Sequence, residues 1–173
     1  TECGDCVRKT HLRQLYGEKI CIDTSIYLYR YKSMEGLLEK FYLMCSIFKY
    51  YNIVPLFVFD GKPPEEKQDE INRRRENREK AWKKYDEMKK KFGVSPNKHQ
   101  EKKLENLKRS IVKVKWKDIQ NVKDLITSMG FKHIEAQGEA DKLCAALVRK
   151  NKVYGVLTED MDLFAYGLSL IHI

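Results

Sequence analysis

Val54-Pro55-Leu56-Phe57-Val58-Phe59-Asp60-Gly61 decides how the rest of the chain is read. Every residue from Val54 to Phe59 is apolar, and the run is too short for a typical helix. Asn52 precedes it and Gly61 with Pro63-Pro64 follows, so it reads as a strand buried on both faces and closed by a forced turn. Its last side chain before the turn is a carboxylate. Upstream, Lys19-Ile20-Cys21-Ile22-Asp23 repeats the pattern, a short apolar run ending in aspartate. Between the two, Leu37, Leu38, Phe41, Cys45 and Phe48 recur at helical spacing, which predicts an amphipathic helix over Met34–Tyr50 ended by Asn52. A strand-helix-strand unit of this length implies parallel pairing.

Downstream the alternation continues. Asp118 reads as the N-cap of a helix with Ile119, Val122, Leu125, Ile126 and Met129 on one face, closed by Gly130. Phe131 to Ala136 reads as a third strand, and Gly138-Glu139-Ala140-Asp141 opens a helix whose buried side is Ala140, Leu143, Cys144 and Leu147. Val153 to Leu157 is a fourth strand, leading into Thr158-Glu159-Asp160-Met161-Asp162. The expected architecture is α/β, a mostly parallel central sheet flanked by helices, in one domain over residues 1–173.

One segment stands apart. Residues 62–117 hold 20 of the 34 Lys and Arg but only 10 of the 25 Asp and Glu, so they carry the whole +9 excess. Glu65 to Phe92 forms helix readily but has too few apolar residues to bury a full face. Gly93 to Asn97 breaks it, and a second basic stretch runs from Lys98 to Lys117. A basic insertion in a balanced domain predicts a polyanionic partner, most commonly nucleic acid.

Five cysteines, with no signal peptide or long apolar stretch before them, predict a reduced intracellular protein without a membrane span. Cys21, Cys45 and Cys144 sit in apolar runs as small core residues. Cys3 and Cys6 form a lone C-x-x-C with no partner pair at zinc-finger spacing.

Parallel strands place their carboxyl ends on one sheet edge, where open α/β folds keep their ligands. Asp23, Asp60, Asp160 and Asp162 end or directly follow strands, and Glu139 and Asp141 follow the third within a few residues. So many anions on one edge need counter-charge, and all-oxygen donors select hard cations such as Mg²⁺ or Mn²⁺. On extended chain Asp160 and Asp162 share a face, about 7 Å apart. Glu139 and Asp141 converge only if a helix starts between or just before them, and Gly138 makes that start plausible. Such a cluster suits two-metal phosphoryl transfer, with ions ~4 Å apart serving the attacking water and the leaving oxygen. The cation facing the phosphate is assigned to Lys67 and Arg74, seven apart and hence on one helix side, with Arg78 continuing the row.

Two stretches carry a resemblance. Val58-Phe59-Asp60-Gly61-Lys62-Pro63-Pro64 resembles the signature turn of flap endonucleases, the FEN/XPG-type structure-specific 5′ nucleases. Gly138-Glu139-Ala140-Asp141, Cys144-Ala145-Ala146-Leu147 and Thr158-Glu159-Asp160-Met161-Asp162 are similar to that family's internal nuclease motif. The resemblance implies a PIN-like 5′-nuclease fold, with residues 62–117 as an inserted basic helical arch over a single-stranded 5′ end. It implies Asp23, Asp60, Glu139, Asp141, Asp160 and Asp162 as ligands of two Mg²⁺, with Mn²⁺ able to substitute. It also implies Lys67 and Arg74 as catalytic cations and Tyr29 as a base-stacking aromatic, with Arg73, Arg78, Lys83 and Lys84 contacting nucleic acid. The implied substrate is branched or flapped DNA with a single-stranded 5′ end, cleaved by a monomer in replication and repair. The expected location is nucleus or cytoplasm, and a viral source is compatible with it.

Asp141 departs from the family, which often has the longer glutamate there. The family's Met-Gly start is absent before Thr1. A further metal-site Asp, a helix-hairpin-helix and a sliding-clamp-binding tail would lie beyond Ile173, so the chain is expected to be a fragment that grips duplex poorly. Three other readings stay open: a 5′-3′ exonuclease, a junction resolvase, and a catalytically weak single-strand-binding module. An aspartyl-phosphate phosphatase is disfavoured, because Asp23-Thr24-Ser25 lacks its second aspartate.

Overall fold

The computed structural model describes residues 11–62, 67–93, 97–159 and 170–171. Behind a short 3₁₀ turn at Leu12–Leu15, strand β1 (Lys19–Asp23) runs into helix α1 (Thr24–Ser33) and then α2 (Leu37–Tyr50). Strand β2 (Val54–Phe59) follows, then α3 (Gln68–Phe92), α4 (Lys98–Ile111) and α5 (Trp116–Ser128). The chain continues through β3 (Lys132–Glu135), α6 (Ala140–Arg149), β4 (Gly155–Leu157) and β5 (Leu170–Ile171). The strands form one sheet in the order β3-β2-β1-β4-β5, and every pairing is parallel.

Both sheet faces are covered, which is why the strands read as unbroken apolar runs. Ile20, Ile22, Phe57, Phe59 and Leu157 belong to a core shared with Phe41, Cys45 and Phe48 of α2 and Val122 and Ile126 of α5. Cys21, Val58 and Val156 alternate to the other face and pack with Ala140, Cys144 and Ala145 of α6. The helices change face because strand addition reverses direction. From β1 the chain steps outward to β2 and β3, then returns to place β4 on the other side of β1. Right-handed crossovers in opposite directions put their helices on opposite faces. The crevice between β1 and β4 is therefore the switch point, where such sheets bind ligands.

Several expectations need correction. The Met34–Tyr50 helix begins at Leu37, and α1 precedes it across a break where Glu35 takes φ 54°. Asp118 is the third residue of α5 rather than its N-cap: the cap is Lys115, whose N–H donates to Asp118 Oδ2 at 2.9 Å. The second basic stretch is largely helix α4, and β5 is a fifth strand that its short, unalternating sequence did not announce. Asn52 and Gly130 do end their helices, with φ 52° and 81°. Cys21, Cys45 and Cys144 are buried free thiols, and burial pushes Cys45 up to about 11. Cys3, Cys6, Pro63 and Pro64 lie outside the described residues. Among the described residues, no helix is long and apolar enough to cross a membrane.

Helices α3 and α4 pack on each other between β2 and α5, and they are the basic insertion. Lys108 of α4 pairs with Glu35 in the α1–α2 break, which ties this hairpin to the sheet domain.

Candidate active site

Asp23 closes β1 and is only 6% exposed. It occupies the N-cap position of α1, so strand end and helix start fix it together. Asp60 follows β2, and its Oδ1 accepts the Ala140 N–H of α6 at 2.8 Å. That bond caps α6 from another element and draws the β2 exit against the β3–α6 loop. The loop is drawn tight there: Gly61 N–H donates to Gly138 O at 2.8 Å, and Ala136 N–H donates to Phe59 O at 2.9 Å. A Cβ on Gly61 would lie 1.9 Å from the Ala136 carbonyl oxygen, so only glycine fits.

Helix α6 starts at Ala140, with Glu139 as its N-cap and Asp141 in its first turn. This start lets two carboxylates two residues apart reach one patch, at the positive end of the helix dipole. Burial holds the Asp141 carboxyl above its usual range, and neighbouring Glu139 and Asp60 push it further the same way. Cys144, one turn along, is raised first by its neighbour Cys21 and by burial, with smaller contributions from Asp23 and Asp141.

The counter-charge comes from the insertion. Lys67, at the N-cap of α3, forms an ion pair with Glu139, and Lys142 Nζ approaches Glu139 at 3.0 Å. Their hydrogen bonds, Lys67 first, hold the Glu139 carboxyl below its usual range, and the same pair raises Lys67. Arg74 pairs instead with Glu70 of its own helix, whose charge also acts on Lys67. The row Arg74, Glu70, Lys67, Glu139, Lys142 thus alternates in sign from α3 to the start of α6.

The other named residues are more dispersed. Tyr29 is 51% exposed on α1, beside Arg30, which pairs with Glu159 after β4. Arg73, Lys83 and Lys84 are exposed on α3, while Arg78 is half-buried. Asp160 and Asp162 lie outside the described residues. Among the described residues, no three acid, histidine or cysteine side chains are grouped closely enough to hold a metal. The donor chemistry still fits a hard cation, since Asp23, Asp60, Glu139 and Asp141 offer only carboxylate oxygens, and Glu139 and Asp60 add their charge to the larger effect of burial on Asp141. Sequence reasoning missed Lys142 and the Arg30–Glu159 pair. The position of Lys142, next to Asp141, was the one signal available for either.

Residues 1–81 match the family model of the XPG N-terminal domain, and residues 130–172 match that of the XPG I-region. Flap endonuclease 1 of Aedes aegypti is 32% identical over 95% of this chain and 46% of its own length. Flap endonuclease 1 of Caenorhabditis briggsae is 34% identical over 93% and 44%. The catalytic core of Rad2 in complex with DNA substrate superposes with a TM-score of 0.68 at 24% identity, over 98% of this chain and 48% of that one. That likeness establishes the fold. The chain spans slightly under half the length of these curated relatives. With both XPG segments present in order, at the sheet edge and helix start just described, the chain belongs to the flap endonuclease family of XPG type.

Proposed function

We propose that this chain carries the catalytic half of a Mg²⁺-dependent, structure-specific 5′ nuclease that cuts 5′ flaps of branched DNA in replication and repair. The ion pair between Lys67 and Glu139 carries the reading, because it sets a cation from the basic insertion directly on the acid patch. Asp23, Asp60, Glu139 and Asp141, joined by Asp160 and Asp162, would hold two Mg²⁺ ions, and Mn²⁺ would substitute. Bound ions supply Lewis acidity to the water and to the leaving oxygen.

The protein's own groups do the rest. Lys67 neutralises Glu139 in the free chain, and on substrate binding its ammonium turns to a non-bridging phosphate oxygen. Electrostatic help of this kind is worth ~10²–10³ in rate. Arg74 exchanges Glu70 for the same phosphate. Tyr29 stacks on a base beside the scissile bond, while Arg73, Arg78, Lys83 and Lys84 hold the single strand. The enzyme acts as a monomer, with a sliding clamp as a further partner.

The test is cleavage of a labelled 5′-flap duplex, with nicked duplex and four-way junction alongside, in Mg²⁺ or EDTA. The flap should be cut in Mg²⁺ only, and Lys67→Ala should slow cleavage about 10²-fold or more with an unchanged melting temperature. No Mg²⁺-dependent product at enzyme excess would sink the reading, and preferential cutting of the junction would redirect it to a resolvase.

A further inference from the structure

The half-buried residues of α3, among them Arg78, Ala81, Tyr85, Met88 and Phe92, recur at helical spacing, the stripe a helix packs on a neighbour. That neighbour is α4. Trp82 stands beside this stripe, 56% exposed, the largest apolar surface on a helix otherwise given to charge. Arg75, Arg78, Trp82 and Lys89 follow one another by three, four and seven residues, so they share a face. Arg75 has a loose partner in Glu79 at 3.5 Å, and the Lys89 ammonium rests 6.0 Å from the Tyr85 ring centre. Both cations are on the surface and exchangeable. An indole flanked by cations is a platform for a flat ring attached to a phosphate.

We propose that Trp82 stacks on an unpaired base of single-stranded nucleic acid while Arg75, Arg78 and Lys89 contact the flanking phosphates. The inference rests on the nucleic-acid reading above and adds a binding residue to it. Duplex is the poorer occupant, since its base faces are hidden in the stack. A membrane surface is poorer too, because it needs a broad apolar face. Here that stripe packs on α4, leaving one indole. Trp82 lies 15 residues along α3 from Lys67, about 22 Å at helical rise. It would therefore hold strand at a distance from the acid patch rather than at the bond to be cut.

The chain has two tryptophans, so Trp116→Phe leaves Trp82 as the single reporter. Titration with a dT oligonucleotide in EDTA should quench its fluorescence. Trp82→Ala should weaken binding about 5-fold or more, since stacking on an aromatic contributes that much per base. Trp82→Phe should fall between, and an oligonucleotide abasic throughout should bind the wild-type chain no better than it binds Trp82→Ala. Salt-sensitive binding without quenching, and with Trp82→Ala equal to wild type, would overturn the stacking while leaving the nucleic-acid reading intact. Absence of any oligonucleotide binding would remove both. A blue shift with phosphatidylserine vesicles, and no response to oligonucleotide, would overturn the proposal in favour of a lipid surface.

Discussion

Gly61 is the most closely enclosed of the described glycines, and its constraint comes from backbone rather than from a side chain that could swing away. Gly61→Ala should therefore lower stability by about 1–3 kcal/mol, as overpacking does. It should also pull Asp60 off the Ala140 N–H, so that flap cleavage well below the melting temperature drops further than the stability loss explains. Thermal denaturation and a single-turnover assay read the two effects, and an alanine variant with wild-type melting would show that the turn is not fixed this way. At this scale the sequence was informative about acids and silent about their partners. Asp23 and Asp60 end apolar runs, so their sheet edge follows from pattern alone. The meeting of Lys67 with Glu139 joins residues 72 apart and depends on where α3 begins, which no local spacing reveals.

Asp118 shows how one side chain serves two helices. Its Oδ2 accepts the Lys115 N–H at the start of α5, and its Oδ1 accepts from Lys32 Nζ of α1 at 2.8 Å. Burial acts to raise its carboxyl, but the Lys32 and Lys115 bonds outweigh burial and hold it below the usual range. The stabilisation is therefore present above the ordinary carboxylate pKa of about 4 and disappears as pH falls through the lower folded value. Asp118→Ala should cost about 1–2 kcal/mol at neutral pH. It should also flatten the acid-side fall in stability, measured by urea unfolding from pH 7 downward. A loss that stays constant with pH would mean the charge is not what the site uses. Helix α1 went unseen because Thr24, Tyr27 and Leu28 are its only buried positions, interleaved with tyrosines whose faces are divided between core and solvent. Strands β1 and β2 were legible for the opposite reason: burial on both faces leaves no polar residue inside Ile20–Ile22 or Val54–Phe59 to confuse the period.

Across the whole molecule, charge is the property most easily read in advance, because counting it needs no fold. The surplus in residues 62–117 becomes a helical hairpin inserted in the chain between two adjacent parallel strands, and only the structure shows that the N-cap of its first helix, Lys67, pairs with Glu139. Replacing exposed Arg73, Lys83 and Lys84 with glutamate should leave the melting temperature unchanged. Single-strand affinity should fall, and the slope of log affinity against log salt should shrink by about 0.7 for each phosphate no longer neutralised. Anisotropy titrations at several salt concentrations measure it, and an unchanged slope would place the strand elsewhere.

No residue of α4 is buried, and none of the described side chains of α3 is either. Opening that hairpin would expose little new apolar surface, so it can come apart while β1 and β2 stay closed. Its amides should exchange with solvent deuterium far faster than those of Ile20–Ile22 or Phe57–Phe59, in one cooperative step common to both helices. A bound single strand should slow that step and leave the sheet amides as they were. Equal protection of hairpin and sheet would instead make them one unfolding unit.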